Sequence, residues 1–425
     1  MSIRKEIDEL LRAGLITEET AEKLQRYYQA KKQTSSNRLF TAFGILGAVL
    51  VGLGLILIIA HHWDELSRTT KTLLSFFPLL IGQLLCAYTL LKKRNNAVWR
   101  ESTTVFLFLA IGANMALISQ IYHLPEDTAA FLLSWMLLGL PLVYIMNSSM
   151  ASLLFLGGIT YYAMLQGHSS YAKPSPYLYW LLLLSIIPHY RKLCKNRPQS
   201  NFTFFHHWAI PLSLTFALSS IAGEQDKLLF IAYFSLFGVF YILGDSFLPP
   251  STKPAANGYK LIGSPGTVML LLLLSFQWFW KGLENSPPQF FPGSPELLAA
   301  IVLSLTAALL LYHQQKDKKL RELKPLTTAF IFFIAVFILG TSFSSLAVLL
   351  INLYLLVIGS LTIRNGARQN QLSTLNYGLL IIAALIICRF FDTKWSFVTK
   401  GILFVLVGMS FFFANYLMIK KRSAT

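Results

Sequence analysis

Three short stretches hold most of the groups in this chain that could do chemistry. They are His61-His62-Trp63-Asp64-Glu65, closing with Arg68; Gln120-Ile121-Tyr122-His123, followed by Pro125-Glu126-Asp127; and Arg389-Phe390-Phe391-Asp392, followed by Lys394-Trp395. As a pocket, His61, His62, Trp63, Asp64, Glu65, Gln120, Tyr122, His123, Arg389 and Asp392 would surround a headgroup, sugar or peptide. Arg389 would then grip an anionic group through two parallel N–H bonds. As an interfacial belt, Trp63, Tyr122 and Trp395 would lie at headgroup depth with the charges solvated or paired. A third reading is a metal site built from His61 or His62, His123 and a carboxylate. Adjacent histidines point to opposite sides and the spacing matches no zinc motif, so no metal or other cofactor is expected. Acid–base catalysis would need a carboxylate and a base at one reacting atom, which Asp64, Glu65, His123 and Asp392 could supply. Membrane glycosyltransferases acting on lipid-linked sugars place acidic residues in a first outer loop. Here that loop has only about ten residues, and no outer loop is long enough for an acceptor cleft. No residue is assigned a catalytic role.

These stretches must be positioned by helices in a bilayer. Mean hydropathy is +0.56 and only 13% of residues are charged, a composition of membrane proteins. Fourteen apolar stretches of helix-spanning length are expected, near 39–60, 71–91, 103–121, 128–146, 150–166, 175–190, 203–222, 226–243, 264–280, 295–313, 325–341, 345–363, 372–391 and 397–419. Each approaches the roughly 20 residues that a hydrocarbon core of ~30 Å requires. The segment 150–166 is short and 264–280 follows a Pro/Gly-rich loop, so twelve is the alternative count. No barrel-like alternation occurs, and the expected fold is an all-α polytopic membrane helix bundle. Residues 1–38 form a cytoplasmic hairpin, 39–419 the bundle and 420–425 a basic tail. The first 38 residues are too charged for a signal peptide, and Cys86, Cys194 and Cys388 are too scattered for a disulfide framework or a zinc ribbon.

Charge sets the expected orientation. Alternate connections divide the 36 Lys and Arg residues 28 to 8, whereas acidic residues divide 10 to 9. This positive-inside pattern puts both termini in the cytoplasm and the three polar stretches on the opposite face. The pI of about 9.7 is then explained by anionic lipid headgroups, the expected partners, and no nucleic acid is implied.

Residues 3–33 read as a helical hairpin. Ile3, Ile7, Leu10 and Leu11 recur at helical spacing, Gly14 suits a left-handed cap, and Thr17 caps a second helix carrying Ala21, Leu24, Tyr27 and Tyr28. Two such short helices need a covering surface. The protein's own cytoplasmic face, a second copy, or a dedicated partner protein would serve. Gly44, Ala48 and Gly52 share one face of the first span; this suits tight packing, with a homo-oligomer seam as the alternative. Pro78, Pro141 and Pro211 can bend their helices. At membrane depth the polar groups are Gln83, Asn114, Gln277, Asn352, Asn376 and Asn415, read as interhelical hydrogen-bonding groups. The absence of a mid-span titratable group counts against proton coupling. His168 and His206-His207 read as packing or interfacial residues.

Gly14-Leu15-Ile16-Thr17-Glu18-Glu19, a Gly-rich first span ending Ala60-His61-His62-Trp63-Asp64, and Gln120-Ile121-Tyr122 followed by Trp135 resemble a large uncharacterised family of bacterial multi-pass membrane proteins. Its N-terminal region is known only as a domain of unknown function. The likeness covers residues 1–150 well and is looser beyond, where Arg389-Phe390-Phe391-Asp392 is similar to a recurrent ending. His62 stands where the family pattern has Asn. The resemblance implies a bacterial inner membrane and a cytoplasmic helical N-terminus, and no activity. The functional expectation is a transporter-like protein, or one handling a lipid or envelope precursor, with its site at the extracytoplasmic rim. The alternatives are a scaffold recruiting a partner through the hairpin and a membrane-embedded transferase.

Overall fold

The computed structural model describes residues 65–167, 177–223, 225–247, 256–288, 293–316 and 324–392, parts of 7–24, and isolated positions elsewhere. Most of the stretches expected at 39–60 and 397–419 lies outside the described residues, and Gly44, Ala48, Gly52, His61, His62, Trp63, Asp64, His168, Trp395 and Asn415 lie outside them entirely. Among the described residues the chain is all-α, with no strand. It divides into two compact units, Met1–Ala151 and Ser152–Thr425.

In the first unit, α1 (Arg68–Lys92), α2 (Ala97–Tyr122) and α3 (Thr128–Ile145) follow one another through short turns, α1 packing on α2 and α2 on α3. Ser67, Asn96 and Asp127 begin them, each side chain accepting from a first-turn amide, which satisfies donors that the helix itself cannot. Small residues set the approach: a methyl at Gly112 would lie 2.4 Å from Trp135, and one at Gly139 2.4 Å from Phe108. The Trp135 indole also donates to Phe108 O at 2.8 Å, so a residue of the family-like motif joins α3 to α2. In the N-terminal segment Gly14 has φ +68, the left-handed value expected there, and residues 18–24 are helical with Ala21 buried.

The second unit takes in most of α4 (Ser149–Gly167), then α5 (Leu178–Asn196), α6 (Asn201–Leu218), α7 (Leu229–Ile242), α8 (Gly258–Leu273), α9 (Gln277–Asn285), α10 (Pro295–Gln315), α11 (Pro325–Gly340), α12 (Ser344–Arg368) and α13 (Leu372–Asp392). Apolar all round, α7 is buried on nearly every side and packs against α8, α10 and α11, as expected of a hydrophobic helix inside a large bundle. Phe234 stacks on Phe333 with centroids 4.0 Å apart, and Ser235 meets Ser304 at 2.8 Å. The α12–α13 pair is closed by Gly359, Gly366 and Gly378, small residues that let membrane helices come close.

Among the described residues, seven helices are long and apolar enough to cross a membrane, α7 being counted with its flanking turns over Asp226–Ser246, and eight if the bent pair α8–α9 is one span. The expected fourteen are not reached among the described residues. Ser149–Gly167, Leu178–Asn196 and Asn201–Leu218 occupy expected spans, but they are not among the helices that are both long and apolar enough to cross. Their Ser, Tyr, His, Lys and Arg residues dilute the apolar run. A correction concerns 264–280, expected as one continuous span. The helix breaks at Leu274–Phe276 and its two parts are bent by 72°. Of the polar residues expected to bridge helices, Asn114, Gln277 and Asn352 do so, whereas Gln83 and Asn376 are exposed.

Candidate functional site

In the first unit the end of α2 and the start of α1 meet. Tyr122 Oη lies 3.4 Å from Thr72 Oγ1, and the exposed Glu65 precedes the Ser67 cap. His123 closes α2 in the left-handed conformation, with φ 53, and its Nδ1 lies 2.8 Å from Gln120 O. Because a carbonyl only accepts, the neutral ring carries its proton on Nδ1 and keeps the Nε2 lone pair. Gln120, Tyr122 and His123 are all exposed, and Asp127 is engaged by the Ala130 amide at 3.0 Å. Much of the chemistry expected of this stretch is therefore used in ending one helix and starting the next. Among the described residues no three His, Cys, Asp or Glu side chains are grouped to hold a metal.

The opposite end of α2 carries a carboxylate that the sequence did not single out. Glu101 is buried; the Ser148 hydroxyl donates to its Oε2, and the Ser149 and Met150 amides donate at 3.2 and 3.0 Å. It thus sits on the first turn of α4, where backbone N–H groups and the helix dipole favour an anion. The lone acid of Arg100-Glu101 at a span end was the available signal.

Arg389, in the second unit, occupies the break between α8 and α9. Its Nη2 donates to Ser275 Oγ at 3.2 Å, and its guanidinium carbon lies 4.8 Å from the Phe276 ring centroid, within cation–π range. A helix break frees carbonyls that must find donors elsewhere. Trp280 Nε1 donates to Leu274 O at 2.7 Å, and Asn352 Nδ2 to Ser275 O at 3.2 Å. Gln277 Nε2 reaches Ser345 Oγ at 3.3 Å. Ser275 and Trp280 are fully buried. The break is consequently a fixed corner built from three helices, with a cation laid across it. Asp392 ends α13, and its side chain lies outside the described residues. Gln120, Tyr122 and His123 belong to one compact unit and Arg389 to the other.

At the other end of the second unit, Asp245 lies in a π-turn over Leu243–Phe247 that continues α7. Lys260 Nζ reaches it at 2.8 Å, Lys324 Nζ at 2.5 Å, and Gln314 Nε2 at 3.4 Å. One acid after a long apolar run, upstream of Lys-rich connections, was its sequence signature. Of the histidines expected to pack, His206 and His207 are buried, His206 fully so and bonded to Ser152 Oγ at 2.9 Å and Phe202 O at 2.7 Å.

Fold and site together define a multi-helix membrane protein with a polar helix break at one end of its second unit. Residues 8–152 match the profile of a family described as a predicted membrane protein (DUF2157), the same stretch on which the resemblance was read. No curated protein and no solved structure matches the chain.

Proposed function

We propose that this chain is a transporter-like membrane protein, or one handling a lipid or envelope precursor, and that it takes the anionic part of its ligand at Arg389 on the extracytoplasmic rim. The observation that carries the reading is the seating of Arg389 on Ser275 and Phe276 at the broken helix α8–α9. Broken helices at membrane depth are kept where they are buried in protein or line a cavity, and they recur in ligand sites of transporters. A guanidinium recognises phosphate or carboxylate through paired N–H bonds, and two neighbours already hold this one in place. The basic bias of alternate connections supports placing this end on the extracytoplasmic side.

The test is thermal unfolding of the purified protein in neutral detergent, titrated with phosphatidylglycerol or phosphatidylcholine. Phosphatidylglycerol is expected to raise the midpoint of the native protein, more weakly that of Arg389→Lys, and not that of Arg389→Gln. Equal stabilisation of all three by both lipids would remove Arg389 from ligand recognition.

A further inference from the structure

The second unit carries an apolar groove of about 410 Å3 that opens to the surface and runs to the helix break. Phe237 and Gly266 form part of it; a methyl on Gly266 would come within 2.8 Å of the Phe237 ring, so only a glycine there leaves that ring in place. Met269 and Leu273 line it with 74% and 44% exposure, so it opens outward from the bundle. At the break its wall is Phe276, the residue whose ring carries the Arg389 guanidinium, and Cys388, the neighbour of Arg389 on α13. The apolar groove therefore reaches the aromatic ring on which a cation rests.

We propose that this groove holds one hydrocarbon chain of an anionic phospholipid whose phosphate is bound by Arg389. The inference rests on the Arg389 reading above and narrows its ligand class from headgroup, sugar or peptide to a lipid. Two physical arguments favour that occupant. A sugar or an extended peptide would bring hydroxyls or backbone amides into a groove lined by apolar side chains, leaving them desolvated and without hydrogen-bond partners. A hydrocarbon chain brings no such groups. It also gains little by leaving the bilayer, because lipid tails are as apolar as the side chains that replace them. The groove alone would thus accept any membrane lipid, and selection falls to the charge at its end. Arg389 is complementary to a phosphate whose lipid carries net negative charge, and it offers less to a zwitterion whose own cation competes for the same phosphate.

The experiment uses the full chain in bilayers of phosphatidylcholine doped with a lipid carrying a photoactivatable diazirine in one acyl chain. The dopant is phosphatidylglycerol in one arm and phosphatidylcholine with identical chains in the other, and adducts are mapped by mass spectrometry. In the native protein, adducts on Met269, Leu270, Leu273 and Cys388 should favour phosphatidylglycerol by about tenfold, the factor that a preference of ~1.4 kcal/mol gives. Arg389→Gln should bring that ratio to one while adducts persist, and Arg389→Lys should retain part of it. Equal groove labelling of the native protein by the two lipids overturns the proposal without any variant having to fold. If phosphatidylglycerol still raises the unfolding midpoint through Arg389 while the groove shows no preference, the anion site stands and the chain assignment falls. If neither response is seen, both fall.

Discussion

A single side chain can join two helices here, and Glu101 is the clearest case. Its carboxylate accepts from the Ser148 hydroxyl and from the amides of Ser149 and Met150, in a buried position at the start of α4. Arg100 adds little directly, since its Nη2 is 3.7 Å from Oε1 and beyond good hydrogen-bond length. Glu101→Gln would turn an amide toward donors that need an acceptor. Hydrogen bonds to a charged group are worth about 1.5–3 kcal/mol each, and one oxygen survives in the amide, so a loss of ~2–3 kcal/mol is expected. A lower unfolding midpoint in detergent would register it. An unchanged midpoint would mean that Ser148 and the helix N-terminus find other acceptors, and Glu101 would lose its structural role.

At the scale of elements, the α8–α9 corner is what separates this structure from a plain bundle. The corner depends on Trp280, whose indole N–H satisfies the Leu274 carbonyl at 2.7 Å and whose ring lies against Gly340 and Phe333. Trp280→Phe keeps an aromatic ring but leaves that carbonyl without its donor. A cost of about 1–3 kcal/mol follows for a buried acceptor left unsatisfied. The same change should weaken the phosphatidylglycerol response, because Ser275 and Phe276 would no longer be held beneath Arg389; full retention of that response would show that the corner does not position the cation. The sequence foretold helices at 71–91, 103–121, 128–146 and 295–313 closely, because long apolar runs ending at polar caps are a local signal. Nothing local marked the corner: Leu274-Ser275-Phe276 holds neither Gly nor Pro, and the groups that stabilise it, Asn352 and Arg389, lie far along the chain. Arg389 itself was legible as an unusual cation at the end of an apolar run. Its partners were not, since sequence spacing does not report which helices meet. Asp245 was overlooked for the same reason, its two lysines arriving from α8 and from the turn before α11.

For the whole molecule, the number of crossings decides on which side each polar stretch works. Connections between Glu126 and Glu284 distinguish two counts. If α3 through α7 and the bent pair each cross, six crossings separate the two residues and both face the same side, as the positive-inside division requires. If only the helices long and apolar enough to span do cross, α3, α7 and the bent pair make three, and the two residues face opposite sides. Glu126, Glu284, Lys93 and Lys316 are all exposed, so each can carry a cysteine probe once Cys86, Cys194 and Cys388 are replaced by alanine. With a membrane-impermeant maleimide on intact cells, Glu126→Cys and Glu284→Cys should both react, while Lys93→Cys and Lys316→Cys should react only after permeabilisation. Reaction at Glu126→Cys and Lys316→Cys, with Glu284→Cys protected, would establish the odd count. It would place the Arg389 end of the second unit on the cytoplasmic side, and an extracytoplasmic site could no longer be built there. Charge makes the even count the expected result: three crossings would carry the Lys316 connection, with its run of lysines, to the outer face, against the bias that orients the rest of the chain.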